Sequence, residues 1–299
     1  MKQSRAVVFF AVATLALAAA TLPAQDVSPV LARMNEKLAA QHAAIRIETA
    51  EYVTAGTGPQ LGRTLYASDR GNKQLGSDWV PGDPWRGGGT DITWINDRHD
   101  GSATGVPDPF ATQAAIERAM NTWDDVTCSP IPLTYVGSYD FDLGYVQYLL
   151  GFGGTTGIAA DITHAGWLPK GFFDAIAPPD GGTYILGVTF TFVWIDSATG
   201  EYTDMDGNGK LDVAFRETYY NNAFPWGIDR NYDVETVVLH ESGHGLSQAH
   251  FGDISRSANG KLHFAPRAVM NAAYGGVLQE LTGTDVGGHC SLWAAWPNK

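Results

Sequence analysis

His240-Glu241-Ser242-Gly243-His244-Gly245-Leu246-Ser247-Gln248-Ala249-His250 is the stretch from which the rest of the chain is best read. On a helix, residues i and i+4 share a face, so His240 and His244 can aim two imidazoles at one metal ion. Glu241 sits about 100° around from His240, beside such an ion, where a base for a bound water belongs. The preceding run, Tyr232 to Leu239, is apolar enough to bury the helix. A chance His-Glu-x-x-His is the competing reading, and a third histidine six residues on weighs against it.

Zinc in hydrolases takes three protein ligands and leaves a position for water. Two residues compete for the third place here. Glu280 is the only glutamate after Glu241, and His250 follows His244 by six. On a continuous helix His250 would face elsewhere, so the chain has to break and turn back, with Gly245 and Ser247 available for the turn.

The first residues read as an export signal, 1–24. Lys2 and Arg5 precede an apolar core from Ala6 to Ala20, and small residues at Ala20 and Ala24 offer cleavage sites. The apolar run is short for a membrane span of about 20 residues. Its removal takes two of the 19 cationic residues and none of the 32 acids, leaving a formal balance of −15. That acidity argues against nucleic acid or anionic lipid as a partner. The expected location is secreted or periplasmic, without membrane attachment after signal cleavage, and the expected state is a monomer. In such a compartment the pair Cys128 and Cys290 reads as one disulfide, with two reduced buried thiols as the alternative.

Residues 25–88 are Gly-, Pro- and Asp-rich toward their end and read as an N-terminal extension or propeptide, ahead of a domain at 89–299. Helices are expected over 28–55, 109–126 and 283–295, besides the one that carries His240 and His244. Strands are expected at 91–95, 133–136, 160–162 and 184–195; 145–160 is hard to assign. Along 184–195, Val188, Phe190, Phe192 and Trp194 alternate onto one face.

Asp204-Met-Asp206-Gly-Asn208-Gly209-Lys-Leu-Asp212 places oxygen ligands at positions 1, 3, 5 and 9 of an EF-hand-like loop, with glycine at 6. Phe215 stands at the twelfth position, so the loop is incomplete. Structural calcium is the favoured reading, a hydrated Asp/Gly turn the bland one. His42, His99, His164, His263 and His289 lack ligand spacing and read as surface or core residues.

His-Glu-x-x-His with His six residues on resembles the metzincin zinc metallopeptidases, the matrixins in particular. The resemblance implies His240, His244 and His250 as zinc ligands and Glu241 as general base. Ala268-Val269-Met270-Asn271 looks like the methionine turn of that family, and Asp285 matches the aspartate that braces it. The helix Ile116 to Trp123 and the tail from Leu281 to Trp293 are similar to the matrixin first and closing helices. The likeness covers about 88–299, with strong motifs only in 236–293. Ser247 stands where the family has a glycine, and the family's cysteine-switch motif is absent. If residues 25–88 block the metal, an acidic or backbone ligand must do so, with Asp69, Asp78 and Asp83 as candidates. Tyr274, four residues after Met270, is a weaker candidate for a role in catalysis.

The implied fold is α+β, a zincin-like catalytic domain. It has a twisted, mixed, mostly parallel sheet with an antiparallel edge strand, an active-site helix and a C-terminal helix. The implied activity is that of a zinc-dependent endopeptidase acting on a protein or peptide substrate, laid as an extra strand along an exposed edge formed by 184–195. Two other readings stand beside it: a catalytically silent binding or adhesion protein of the same fold, and a zinc hydrolase of a non-peptide amide or ester.

Overall fold

A computed structural model describes residues 29–57, 63–64 and 74–298. The stretch expected to be an export signal, 1–24, and Asp69 lie outside the described residues. In chain order the helices are α1 (Pro29–Ala40), α2 (Pro109–Asp124), α3 (Tyr145–Leu150), α4 (Lys170–Ile176), α5 (Val234–Gly245) and α6 (Gly283–Trp293). The main strands are β1 (Ile45–Thr54), β2 (Arg63–Thr64), β3 (Ser77–Asp78), β4 (Ile92–Asp97), β5 (Leu133–Tyr139), β6 (Ile162–Leu168), β7 (Ile185–Trp194) and β8 (Leu211–Asn221).

The expected helix over 28–55 ends at Ala40. Pro29 suits its first position, where no backbone donor is missed, and Val30, Leu31, Met34 and Leu38 form its buried stripe. His42 then adopts φ 54°, which a helix cannot continue. From Ile45 the pattern changes to a period of two, and Ile45, Ile47, Ala50 and Tyr52 pack on one core. The second half of the expected helix is therefore β1.

The sheet is mixed and mostly parallel. Its order is β2-β1-β7-β8-β6-β4-β5, with β3 paired parallel to the start of β8. β4, β5, β6 and β8 run parallel; β7 is antiparallel to β8, and β1 antiparallel to β7. The strand expected at 184–195 is present as β7 but is not an edge. β1 pairs along its whole free side, from Ile45↔Trp194 to Thr54↔Ile185.

Two apolar cores flank the sheet. One gathers α2, α5 and α6 around Trp79, Met120, Trp123, Val238, Met270 and Trp293. The other gathers α1, α3 and α4 around Leu31, Phe172, Phe173, Phe190, Phe192 and Phe215. Each such side chain, fully buried, contributes about 1.5–3 kcal/mol. The disulfide Cys128–Cys290 joins the segment after α2 to α6.

β8, absent from the sequence reading, is buried through its length apart from Leu211. It carries Arg216 and Glu217 in its middle, and both are satisfied. Glu217 accepts from Tyr145 N (2.6 Å), Val146 N (3.0 Å) and the Tyr219 hydroxyl (2.7 Å), holding the start of α3. The Arg216 guanidinium donates to Thr191 Oγ1, Gly245 O and Ser247 Oγ at 2.8–2.9 Å. Burial lowers its pKa to about 9, so it stays charged at neutral pH.

Candidate metal and catalytic site

α5 is buried from end to end, which leaves its terminal backbone groups to be satisfied by protein. At its N-terminus the Asp233 carboxylate accepts from Thr236 N and Thr236 Oγ1. At its C-terminus Gly245 O accepts from Trp79 Nε1 (3.0 Å) and Arg216 Nη1 (2.9 Å), and Leu246 O from Trp293 Nε1 (3.0 Å).

The helix stops in a Schellman arrangement. Ser247 N donates to His244 O and Gln248 N to Gly243 O, both at 3.0 Å, with Ser247 at φ 64°. A left-handed serine costs about 1–2 kcal/mol, and the bond from Arg216 to Ser247 Oγ, at 2.8 Å, offsets it. The turn that Gly245 and Ser247 were expected to supply is thus made at Ser247 itself. It brings His250 back against the helix.

The Nε2 atoms of His240, His244 and His250 lie 3.1 Å from one another. Each ring holds its other nitrogen against an oxygen. His240 Nδ1 meets Val269 O and His244 Nδ1 meets Gln248 O, both at 2.7 Å, and His250 Nδ1 lies 3.3 Å from Glu51 Oε2. An Nδ1–H donated to each oxygen leaves three Nε2 lone pairs converging on one point. That arrangement repels itself unless a cation lies between, and such outer oxygens are what orient metal-bound histidines. Burial pulls His240 down to about 4 and holds His244 and His250 well below the usual imidazole range, so all three are neutral at pH 7. The three could hold a metal ion.

Glu241 has no exposed surface. Thr189 Oγ1 donates to its Oε2 at 2.7 Å, and Val53 N lies 3.4 Å from its Oε1. Burial raises its pKa well above the carboxylate range, and the Glu51 carboxylate adds to the effect. Gly187 of β7 leaves the room that this carboxylate fills, since a Cβ there would come within 2.9 Å of Oε1.

The segment expected as a methionine turn lies against this cluster. Met270 is fully buried, and the Asp285 carboxylate accepts from Val269 N (3.0 Å), Met270 N (3.1 Å), Thr282 N (2.8 Å) and Thr282 Oγ1 (2.7 Å). Glu280, the rival third ligand, is exposed and outside the cluster. The Tyr274 hydroxyl accepts from Asp233 N (3.0 Å) and donates to Asn231 O (2.8 Å), and its pKa is pushed up to about 12 by burial. It therefore braces the start of α5. Of the acids considered as blocking ligands, Asp78 sits beside Asn208, and Asp83 accepts from Trp85 N and Trp194 Nε1. Glu51 reaches the triad instead. Only the pairing of β1 with β7 brings it there, and no local spacing marks it.

Asp204, Asp206 and Asp212 come together as a second group that could hold a cation. Asn208 lies among them, its amide NH2 donating to Asp206 Oδ2 (3.0 Å) and Asp78 Oδ1 (3.1 Å). Lys210 Nζ also lies 3.6 Å from Asp78. Among the other histidines, His42, His99 and His263 are exposed; His164 and His289 are buried, His289 stacked on Trp123.

No model of a known protein family matches the chain, and no curated protein matches it in sequence. Among the described residues, no helix is long and apolar enough to cross a membrane.

Proposed function

We propose that the chain is a secreted, zinc-dependent endopeptidase of metzincin type, resembling the matrixins, and that it hydrolyses peptide bonds in protein substrates. The observation that carries this reading is the convergence of three neutral imidazole nitrogens at 3.1 Å, each ring held from behind by an oxygen, beside the buried Glu241. Three histidines are a donor set suited to zinc with a place left for water.

His240, His244 and His250 would hold the ion, with Val269 O and Gln248 O fixing the tautomers of the first two and Glu51 facing His250 in the resting fold. Bound zinc supplies a water of lowered pKa, about 7, and a Lewis acid for the scissile carbonyl. Glu241 is the general base: a cation bound beside it would favour its ionised form, which takes the water proton and delivers it to the departing nitrogen. Thr189 aims Glu241 by donating to Oε2; the other oxygen, Oε1, faces Val53 N in the resting fold and is the one that would transfer the proton. Met270 and Asp285 form the floor that sets His240 through Val269 O.

The loop Asp204–Asp212 is the proposed calcium site, with Asp204, Asp206 and Asp212 as hard oxygen ligands. The Cys128–Cys290 disulfide and the leader at 1–24 suit an exported protein. The expected result with purified protein is chelator-sensitive cleavage of casein, abolished in a Glu241→Gln variant that keeps its zinc. A Glu241→Gln variant that cuts at the wild-type rate would overturn the assignment.

A further inference from the structure

We propose that β1 is a resident occupant of the substrate cleft: a stretch of the chain's own backbone, Glu51–Thr54, that lies where a peptide to be cut would lie and must move aside for one. This rests on the peptidase reading above.

Four observations place it there. β1 adds to β7 antiparallel, which is how an extended peptide adds to a free sheet edge. Its end is gripped from the other side as well, because Thr54 N donates to Ala272 O (3.2 Å) and Tyr274 N donates to Thr54 O (2.7 Å). Val53 N faces Glu241 Oε1 at 3.4 Å, and the Val53 side chain lines a pocket beside His240 with Thr236, Arg267, Tyr274 and Leu278. Glu51 Oε2 lies 3.3 Å from His250 Nδ1, and Glu51, Glu241 and His244 are all buried.

A carboxylate that hands a proton to a leaving nitrogen must lie against that nitrogen. In this fold the nitrogen against Glu241 belongs to Val53. A substrate therefore has to replace β1 strand for strand, running antiparallel to β7 and parallel to Ala272–Tyr274. It would seat a side chain of about valine size in the pocket beside His240. Such competition weakens every ligand of the cleft by the fraction of molecules in which Glu51–Thr54 has moved away.

The opposite face of β1 offers a handle outside the catalytic groups. Tyr52 is buried in the core with α1, 6.2 Å from the Tyr184 ring. In the zinc-loaded full chain, Tyr52→Ala is expected to bind a leucine-containing peptide hydroxamate at least tenfold more tightly than the wild type, measured by calorimetry. In the wild type, saturating hydroxamate is expected to speed amide hydrogen exchange at Glu51–Thr54 while α5 stays protected. This second measurement decides the matter should Tyr52→Ala fold poorly.

Equal affinity in two zinc-loaded proteins, no binding by either, or a Glu51–Thr54 segment that stays protected with hydroxamate bound would overturn the proposal and leave the peptidase reading standing. Absence of zinc from both proteins would overturn the two together.

Discussion

Gly243 and Met270 are in such close contact that a Cβ on residue 243 would collide with Met270 Sδ and come within 3.1 Å of Trp123 Cζ2. The second variable position of His240-Glu-x-x-His244 is thus fixed by packing, since the helix backbone rests directly on the methionine. Gly243→Ala must push Met270 or tilt α5, and overpacking of this kind costs about 1–3 kcal/mol. Chemical denaturation should show that loss. Because Val269 O holds His240, metal affinity should fall with it.

Gly187 stands in the same relation to Glu241, from across the sheet. A Cβ at residue 187 would lie 2.9 Å from Oε1 and 3.0 Å from Cγ of Glu241. Gly187→Ala should leave the three histidines and their metal in place while displacing the carboxylate. A displacement of about 1 Å at a reacting group costs on the order of 100-fold in rate. The expected outcome is wild-type metal content with hydrolysis reduced by about that factor, read by metal analysis beside a peptide assay.

Ser247 sets two effects against each other. Replacing it by glycine relieves about 1–2 kcal/mol of left-handed strain. It also removes an acceptor from the buried Arg216 guanidinium, and a hydrogen bond to a charged group contributes about 1.5–3 kcal/mol. The second effect is larger, so Ser247→Gly should destabilise by roughly 1 kcal/mol in urea unfolding. A more stable variant would show that strain dominates the turn.

His164 is buried with its Nδ1 2.8 Å from the Tyr220 hydroxyl, and burial lowers its pKa from 6.5 to about 3. The folded form thus binds its proton less readily than the unfolded form. Its contribution is fully present above about pH 6.5 and is lost as pH falls from there toward 3. By linkage the loss amounts to about 2 kcal/mol between pH 7.5 and pH 5. His164→Gln removes that term, so the stability gap between wild type and variant should narrow by about 2 kcal/mol over the same interval. A gap that does not change with pH would contradict the burial of a neutral ring.

Much of the fold was legible because it is written locally. The apolar stripe of α2, the alternation in β7 and the closing helix over 283–295 are read within a few turns of the chain. The His240–His250 spacing is of the same kind, with three ligand candidates inside eleven residues. What escaped depends on partners far away in sequence. β8 does not look like a strand because Arg216 and Glu217 interrupt its apolar run, and their partners are Thr191, Gly245, Ser247 and the start of α3. β1 follows α1 so closely that its residues suit the end of a helix, and nothing local reveals the covered edge of β7 or the approach of Glu51 to His250. A residue whose place is set by pairing with a strand some 140 positions later carries no local mark.

Whether His240, His244 and His250 hold a zinc ion is read from the metal content of the purified chain, by mass spectrometry under native conditions. One tightly bound zinc is expected in the wild type and in Glu241→Ala, and none in His244→Ala. A wild-type chain that folds with its disulfide formed and binds no zinc would contradict the zinc assignment.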